Sequence, residues 1–438
     1  MNKKLLWIPI GIIVVGLIIY WSTGKFQEPS PNFTAQVPNK ETAVNKANIK
    51  SFELYIDFSG SMRGYVDFSN LANAANANSE MKSTITNFLD KVEEAYQVKT
   101  ANYCGGVSYD KDVFRRKLQD GSIFNQGTTL LHEMIEENCA KANDTTLVAI
   151  VSDMVLSFGR GKLIASKDTF YNKNHLDDLS GAIHTAMTNL KVKGLDVVLL
   201  QYYSDFNGRY YYNYTENISG SNAYHGKIMK NRPYYILLAG KEDALKSILA
   251  KDCIKDAENV YASFGIKESD MRTVSCNIIQ NDTTLFWTQG NDTTNNVSGF
   301  WTSDDLEKNT TKFNIVCSDF KIPAYLNKKS LSGYCSVGKV SSITYDDRHD
   351  DISFCLETKP FDQLGKQTDV QIEIKSTNDW KNEATTLDND DVDKKVEVLE
   401  KRTWGFSHII DAIDLAFHGK DIPESNVIGK FTFVLIKK

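Results

Sequence analysis

Apolar residues open the chain in one unbroken block. Leu5 to Trp21 carries no charge and follows Asn2-Lys3-Lys4. As a helix the block spans roughly 26 Å, enough for a thin bilayer core. Lys3 and Lys4 hold the N-terminus in the cytoplasm and send the body across the membrane, to a periplasmic or extracellular place. Ser22-Thr23-Gly24 also offers small residues to a signal peptidase, but the block exceeds the usual signal core of about 7–15 residues. The expectation is therefore an uncleaved single-pass anchor over residues 1–24. Residues 25–50 hold prolines among Asn, Thr and Lys without apolar periodicity, and read as a flexible stalk.

From Ser51 onward the period of the apolar positions switches back and forth. Phe52–Ile56 reads as a strand, and Met81, Ile85, Phe88, Leu89, Val92 and Tyr96 fall at helical spacing. Strand-like runs follow at 101–109, 146–152, 195–203 and 234–239, with helical patterns at 130–139, 176–190 and 242–250 between or after them. Apolar strands alternating with helices predict an α/β domain over 51–251, a mostly parallel sheet with helices on both faces. Beyond Lys251 short strand-like runs separated by Asn, Asp and Gly predict a smaller β-rich domain over 252–438, with one helix at 407–417.

Composition narrows the function. A net charge of −6, from 50 basic and 56 acidic residues, argues against nucleic acid as a partner. Seven cysteines in 438 residues are too few for a disulfide scaffold. Cys317, Cys335 and Cys355 fall in neighbouring strand-like runs, so one pair among them is expected to bridge, with the pairing left open. Seven histidines and no phosphate-loop, dinucleotide or nucleophile-elbow motif leave no catalytic constellation in view. The expectation is a binding protein and not an enzyme.

The candidate chemistry sits at the ends of the runs. Asp57-Phe58-Ser59-Gly60-Ser61 closes the first strand, Gly127-Thr128-Thr129 opens a helix, and Ser152-Asp153 closes the strand at 146–152. In an open α/β sheet the carboxyl ends of strands are where ligands gather. In order and spacing these three segments resemble the metal-ion-dependent adhesion site of the von Willebrand factor type A family, over about half the chain. The resemblance implies a Mg²⁺ or another divalent cation held by Ser59, Ser61 and Thr128, with Asp57 and Asp153 acting through waters, and an acidic side chain of a protein partner completing the site. Two departures stand out: Met154 follows Asp153 where the family often has glycine, and Thr129 competes with Thr128 for the third hydroxyl.

Loop length adds a second pointer. Long connections follow strands (62–78, 155–175, 204–232) and short ones follow helices, which places the long ones together on one rim. The 204–232 insert carries Tyr210, Tyr211 and Tyr212, rigid amphipathic side chains suited to a binding surface. The expected function is a membrane-anchored binding protein of the cell envelope with a metal at the sheet rim. The alternative is an assembly or scaffold subunit of an envelope complex in which the metal is secondary.

Overall fold

A computed structural model describes residues 32–39, 48–68, 79–97, 100–104, 107–125, 129–156, 173–208, 210–211, 223–224, 229–250, 257–280, 296–300, 310, 312–386, 401–419 and 427–437. The apolar block at Leu5–Trp21 lies outside these. Among the described residues no helix is long and apolar enough to cross a membrane.

The first described element is a strand, β1 (Asn32–Pro38), within the segment read above as a stalk. Phe33, Ala35 and Val37 alternate with polar residues and are buried, a two-residue period that the flanking prolines disguise. Next come β2 (Ser51–Ile56), α1 (Glu80–Tyr96), β3 (Thr100–Cys104) and β4 (Ser108–Tyr109). Then α2 (Lys111–Asp120), α3 (Leu131–Cys139), β5 (Thr146–Ser152), α4 (Lys173–Val192) and β6 (Asp196–Phe206) follow. The short pair β7 (Tyr210–Tyr211) and β8 (Ala223–Tyr224) precedes β9 (Met229–Gly240), α5 (Glu242–Leu249) and β10 (Asn259–Ala262).

Seven of these strands form one sheet in the order β10-β6-β9-β5-β2-β3-β4. Only β2–β3 and β2–β5 pair in parallel; β5–β9, β6–β9, β6–β10 and β3–β4 are antiparallel. This corrects the expectation of a mostly parallel sheet. The strand β9 returns from β6 as a long hairpin arm and inserts between β6 and β5, instead of crossing over through a helix. Continuous apolar runs report burial on both faces, and that burial does not fix strand direction. In β5, Leu147, Ala149 and Val151 enter one core while Val148 and Ile150 enter the other. In β9, Tyr234, Ile236 and Leu238 alternate in the same way with Tyr235, Leu237 and Ala239. Helices α1, α2 and α5 cover the first face, and α3 and α4 the second.

Most of the strands that follow β10 close with β1 into a barrel. It uses β11 (Met271–Gln280), β13 (Lys312–Cys317), β14 (Leu331–Cys335), β15 (Gly338–Asp346), β16 (Asp351–Thr358), β17 (Gln367–Ser376) and β20 (Val427–Lys437). An added strand, β12 (Asn296–Phe300), runs parallel to the end of β20. The wall runs β1-β11-β13-β16-β15-β14-β17-β20 with every neighbour antiparallel, and β1 closes it by pairing Ala35 with Phe431 and Gln36 with Lys430. Eight strands leave an interior just wide enough to fill with side chains. Phe33, Phe354, Phe431 and Phe433 do so, with Phe33–Phe433 and Phe354–Phe431 ring centroids each 5.0 Å apart.

Between β17 and β20 the chain leaves the barrel. Helix α6 (Trp380–Ala384), the two-residue strands β18 (Thr385–Thr386) and β19 (Thr403–Trp404), and helix α7 (Phe406–His418) lie along the second face of the mixed sheet. Helix α7 packs on α4, and Phe406 stacks on Tyr235 with centroids 4.3 Å apart. The two sheets are thus interleaved along the chain, with the mixed sheet inserted between the first and second strands of the barrel.

The cysteine pairing also differs from expectation. Cys317 bonds Cys276, directly across the β11–β13 ladder, while Cys335 and Cys355 are free thiols. Cys276 lies in the strand Met271–Gln280, where a lone cysteine between Ser275 and Asn277 gave no reason to prefer it. The bridge spans 41 residues, and the constraint it places on the unfolded chain is worth about 2–4 kcal/mol. Converting both residues to Ala is expected to lower the denaturant midpoint accordingly; a midpoint identical to wild type under oxidising conditions contradicts a formed bond.

Candidate functional site

Strand β2 has a parallel neighbour on each side. The chain leaves β2 through α1 to reach β3 on one side, then returns across β2 to reach β5 on the other. The two crossovers diverge at the carboxyl ends of β2 and β5, and a crevice at such a switch point is the usual ligand position in an open α/β sheet. Asp57 and Asp153 are the first residues past those two ends, and both are buried.

The local geometry follows from turn chemistry. The Asp57 N–H donates to the Val151 carbonyl at 2.8 Å, which extends the β2–β5 ladder by one residue. Its Oδ1 accepts from the Ser59 N–H at 2.9 Å, an Asx turn that reverses the chain into a 3-10 turn at Met62–Tyr65. Its Oδ2 accepts from the Ser152 hydroxyl at 3.0 Å, tying the two strand ends together. Ser59 and Ser61 hydroxyls lie 2.9 Å apart. Met154, next to Asp153, holds a left-handed backbone at φ 55°, and its N–H donates to Ser152 Oγ at 3.0 Å. That conformation costs a non-glycine residue on the order of 1–3 kcal/mol, so the surrounding contacts hold the strain in place.

Arg232 completes the arrangement. It enters from the start of β9, 1% exposed, with a terminal nitrogen 3.6 Å from Asp153 Oδ2. Its guanidinium lies over the Phe206 ring, 5.1 Å from the centroid. Burial pushes the Asp153 carboxyl up to about 6, Arg232 opposes that, and the nearby Asp57 adds to it. Burial also pushes the Tyr65 phenol well above its usual range, so it stays a neutral donor to the Pro233 carbonyl at 2.6 Å. From the Asp153 carbonyl a directional hydrogen-bond relay crosses the sheet. Thr403 Oγ1 donates to it at 3.4 Å, the Tyr235 hydroxyl donates to Thr403 at 3.2 Å, and Gln201 Nε2 donates to Tyr235 at 3.2 Å. Asn259 Nδ2 then donates to Gln201 Oε1 at 2.6 Å, and Asn327 of the barrel donates to Asn259 Oδ1 at 3.0 Å.

The structure therefore brings together Asp57, Ser59, Ser61 and Asp153, and adds Ser152, Arg232 and Thr403. Thr128 lies outside the described residues, as does Tyr212. Tyr210 and Tyr211 sit in β7, on the segment between β6 and β9 that leaves the same rim. Arg232 was read only as the end of the Tyr-rich insert at 204–232, because a single arginine before the apolar run 234–239 carries no motif that ties it to Asp153. Thr403 was missed because it sits 250 residues from Asp153.

The metal-ion-dependent adhesion site is not supported. Among the described residues no group of three or more His, Cys, Asp or Glu is placed to hold a metal. The Arg232 guanidinium places a positive charge beside Asp153. The resemblance to the von Willebrand factor type A family fails at the level of the fold as well, on the antiparallel insertion of β9 and the interleaved barrel. No family model and no curated protein matches this chain.

Proposed function

We propose that the chain is a membrane-tethered binding and assembly subunit of the cell envelope, which holds a protein partner at the β2–β5 switch point and the loops around it. The observation that carries this reading is the switch point itself, with two buried aspartates from adjacent strand ends fixed by Ser152, Ser59 and Arg232 into one rigid polar surface. Asp57 spends a hydrogen bond from each oxygen on shaping the turn, and Asp153 faces a cation. Those roles suit recognition better than general-base chemistry. With the guanidinium beside Asp153 the rim needs no Mg²⁺ bridge. A donor group of the partner, not an acidic one, suits Ser59, Ser61 and the carboxylates behind them. The Cys276–Cys317 bond supports a body on the oxidising side of the membrane.

The test is crosslinking and pull-down of the full chain from detergent-solubilised membranes, with folding checked by thermal melts. Ser61→Arg fills the rim from a half-buried position and should abolish partner recovery. Val192→Arg changes a residue 82% exposed at the opposite end of the sheet and should leave recovery unchanged, with or without EDTA. Equal recovery by a folded Ser61→Arg variant moves the binding site elsewhere.

A further inference from the structure

The two ends of the barrel have different surroundings. One end carries Pro38, Met271, Leu331, Ser376 and the 346–351 turn, and it abuts the mixed sheet. There Asn327 meets Asn259, the Phe264 and Tyr325 rings lie 5.1 Å apart, and Lys329 pairs with Glu258 at 2.7 Å. The other end carries Asn32, Gln280, Gly338, Thr358, Gln367 and Lys437. The first described residue, Asn32, lies at that second end, and β1 runs from it toward the mixed sheet.

That position shortens the tether. Had the fold begun at Ser51, almost thirty residues would separate it from Trp21. With β1 in the barrel wall only residues 22–31 intervene, which reach at most about 35 Å fully extended and far less as a coil. We infer that the Asn32 end of the barrel rests on the bilayer that the N-terminal segment enters, with lipid headgroups as its partner, while the barrel holds the mixed sheet away from the membrane. Exposed Lys359, at the turn after β16, and Lys366, just before β17, lie on the lipid-facing end. Val192 lies away from the barrel, at the C-terminal end of α4 on the second face of the mixed sheet. The inference rests on the tethered reading proposed above and adds which surface faces lipid.

The experiment places a fluorescent amino acid at position 359, 366 or 192 of the full-length chain, reconstituted in vesicles that contain headgroup spin-labelled lipid. The expected result is loss of fluorescence at 359 and 366, with 192 retaining the intensity seen in unlabelled vesicles. Equal intensity at all three positions, with the protein still floating with the vesicles, overturns the docking and leaves the anchor standing. Strongest quenching at 192 overturns it by inverting the orientation. Failure to float with vesicles overturns the docking and the tethered reading together.

Discussion

Replacing Arg232 with Met lowers the unfolding free energy by up to about 2.7 kcal/mol at pH 8, because the stranded Asp153 takes up a proton and each pH unit above its folded value of about 6 is worth about 1.36 kcal/mol. Arg232 is 1% exposed and Asp153 only slightly more, so water does little to screen the loss. The deficit depends on pH in a defined direction. Burial first, opposed by Arg232, holds the folded Asp153 at about 6 against an ordinary 3.8. A raised carboxylate favours the fold while protonated, and that contribution is lost as pH rises from about 4 to about 6. Without Arg232 the folded value moves higher still, so the variant keeps losing stability above pH 6 where wild type has levelled off. Denaturant melts at pH 5 and pH 8 therefore diverge: the gap between variant and wild type is small at pH 5 and full at pH 8. Adding Asp153→Asn to Arg232→Met removes both charges and should recover most of the loss. A pH-independent deficit, or no rescue by the double variant, shows that Arg232 acts through its other contacts, the Phe206 ring and Tyr65 among them, and not through Asp153.

The second large effect concerns β1. A chain starting at Gln27 keeps the strand, and one starting at Lys40 lacks it. The shorter chain gives up the burial of Phe33 and Val37, at about 1.5–3 kcal/mol each. It also leaves the facing edges of β11 and β20 open. The expected loss is at least about 5 kcal/mol, comparable with the whole stability of an ordinary domain. Denaturant melts with amide hydrogen exchange should show β11 and β20 exposed in the Lys40 chain and protected in the Gln27 chain. Matching midpoints and matching protection would mean that the barrel closes without β1.

Much of the mixed sheet was legible because local pattern and burial agree there. The helix α1 announces itself by Met81, Ile85, Phe88, Leu89 and Val92, all on its buried face. The strand β5 announces itself by an uninterrupted apolar run, buried at every position. Asp57 and Asp153 could be placed at adjacent strand ends from the same runs. Direction could not be read: β9 is as apolar as a central parallel strand, yet it is antiparallel to both of its neighbours. The Asp-x-Ser-x-Ser segment misled for a physical reason. An aspartate whose carboxylate receives the N–H two residues on is a general way to turn out of a strand, and Asp57 does that with Ser59. The barrel was illegible because its closure joins residues almost four hundred positions apart, and one of those is an alanine in a proline-flanked, polar-looking stretch.

That same closure sets an order in time. As the chain is made, β1 emerges first. Its neighbour β11 pairs Asn277 with Asn32, and its other neighbour β20 pairs Phe431 with Ala35. At about 5–20 residues per second, roughly 20–80 s pass between the appearance of β1 and that of β20. Throughout that interval a strand with buried-type Phe33, Ala35 and Val37 has an unsatisfied edge, the kind that pairs with whatever strand it meets. The inserted sheet can collapse around β5 and α4 during the wait, although α7, which covers its second face, arrives late. The barrel closes last, and until β20 arrives one edge of β1 stays open to pairing with other strands.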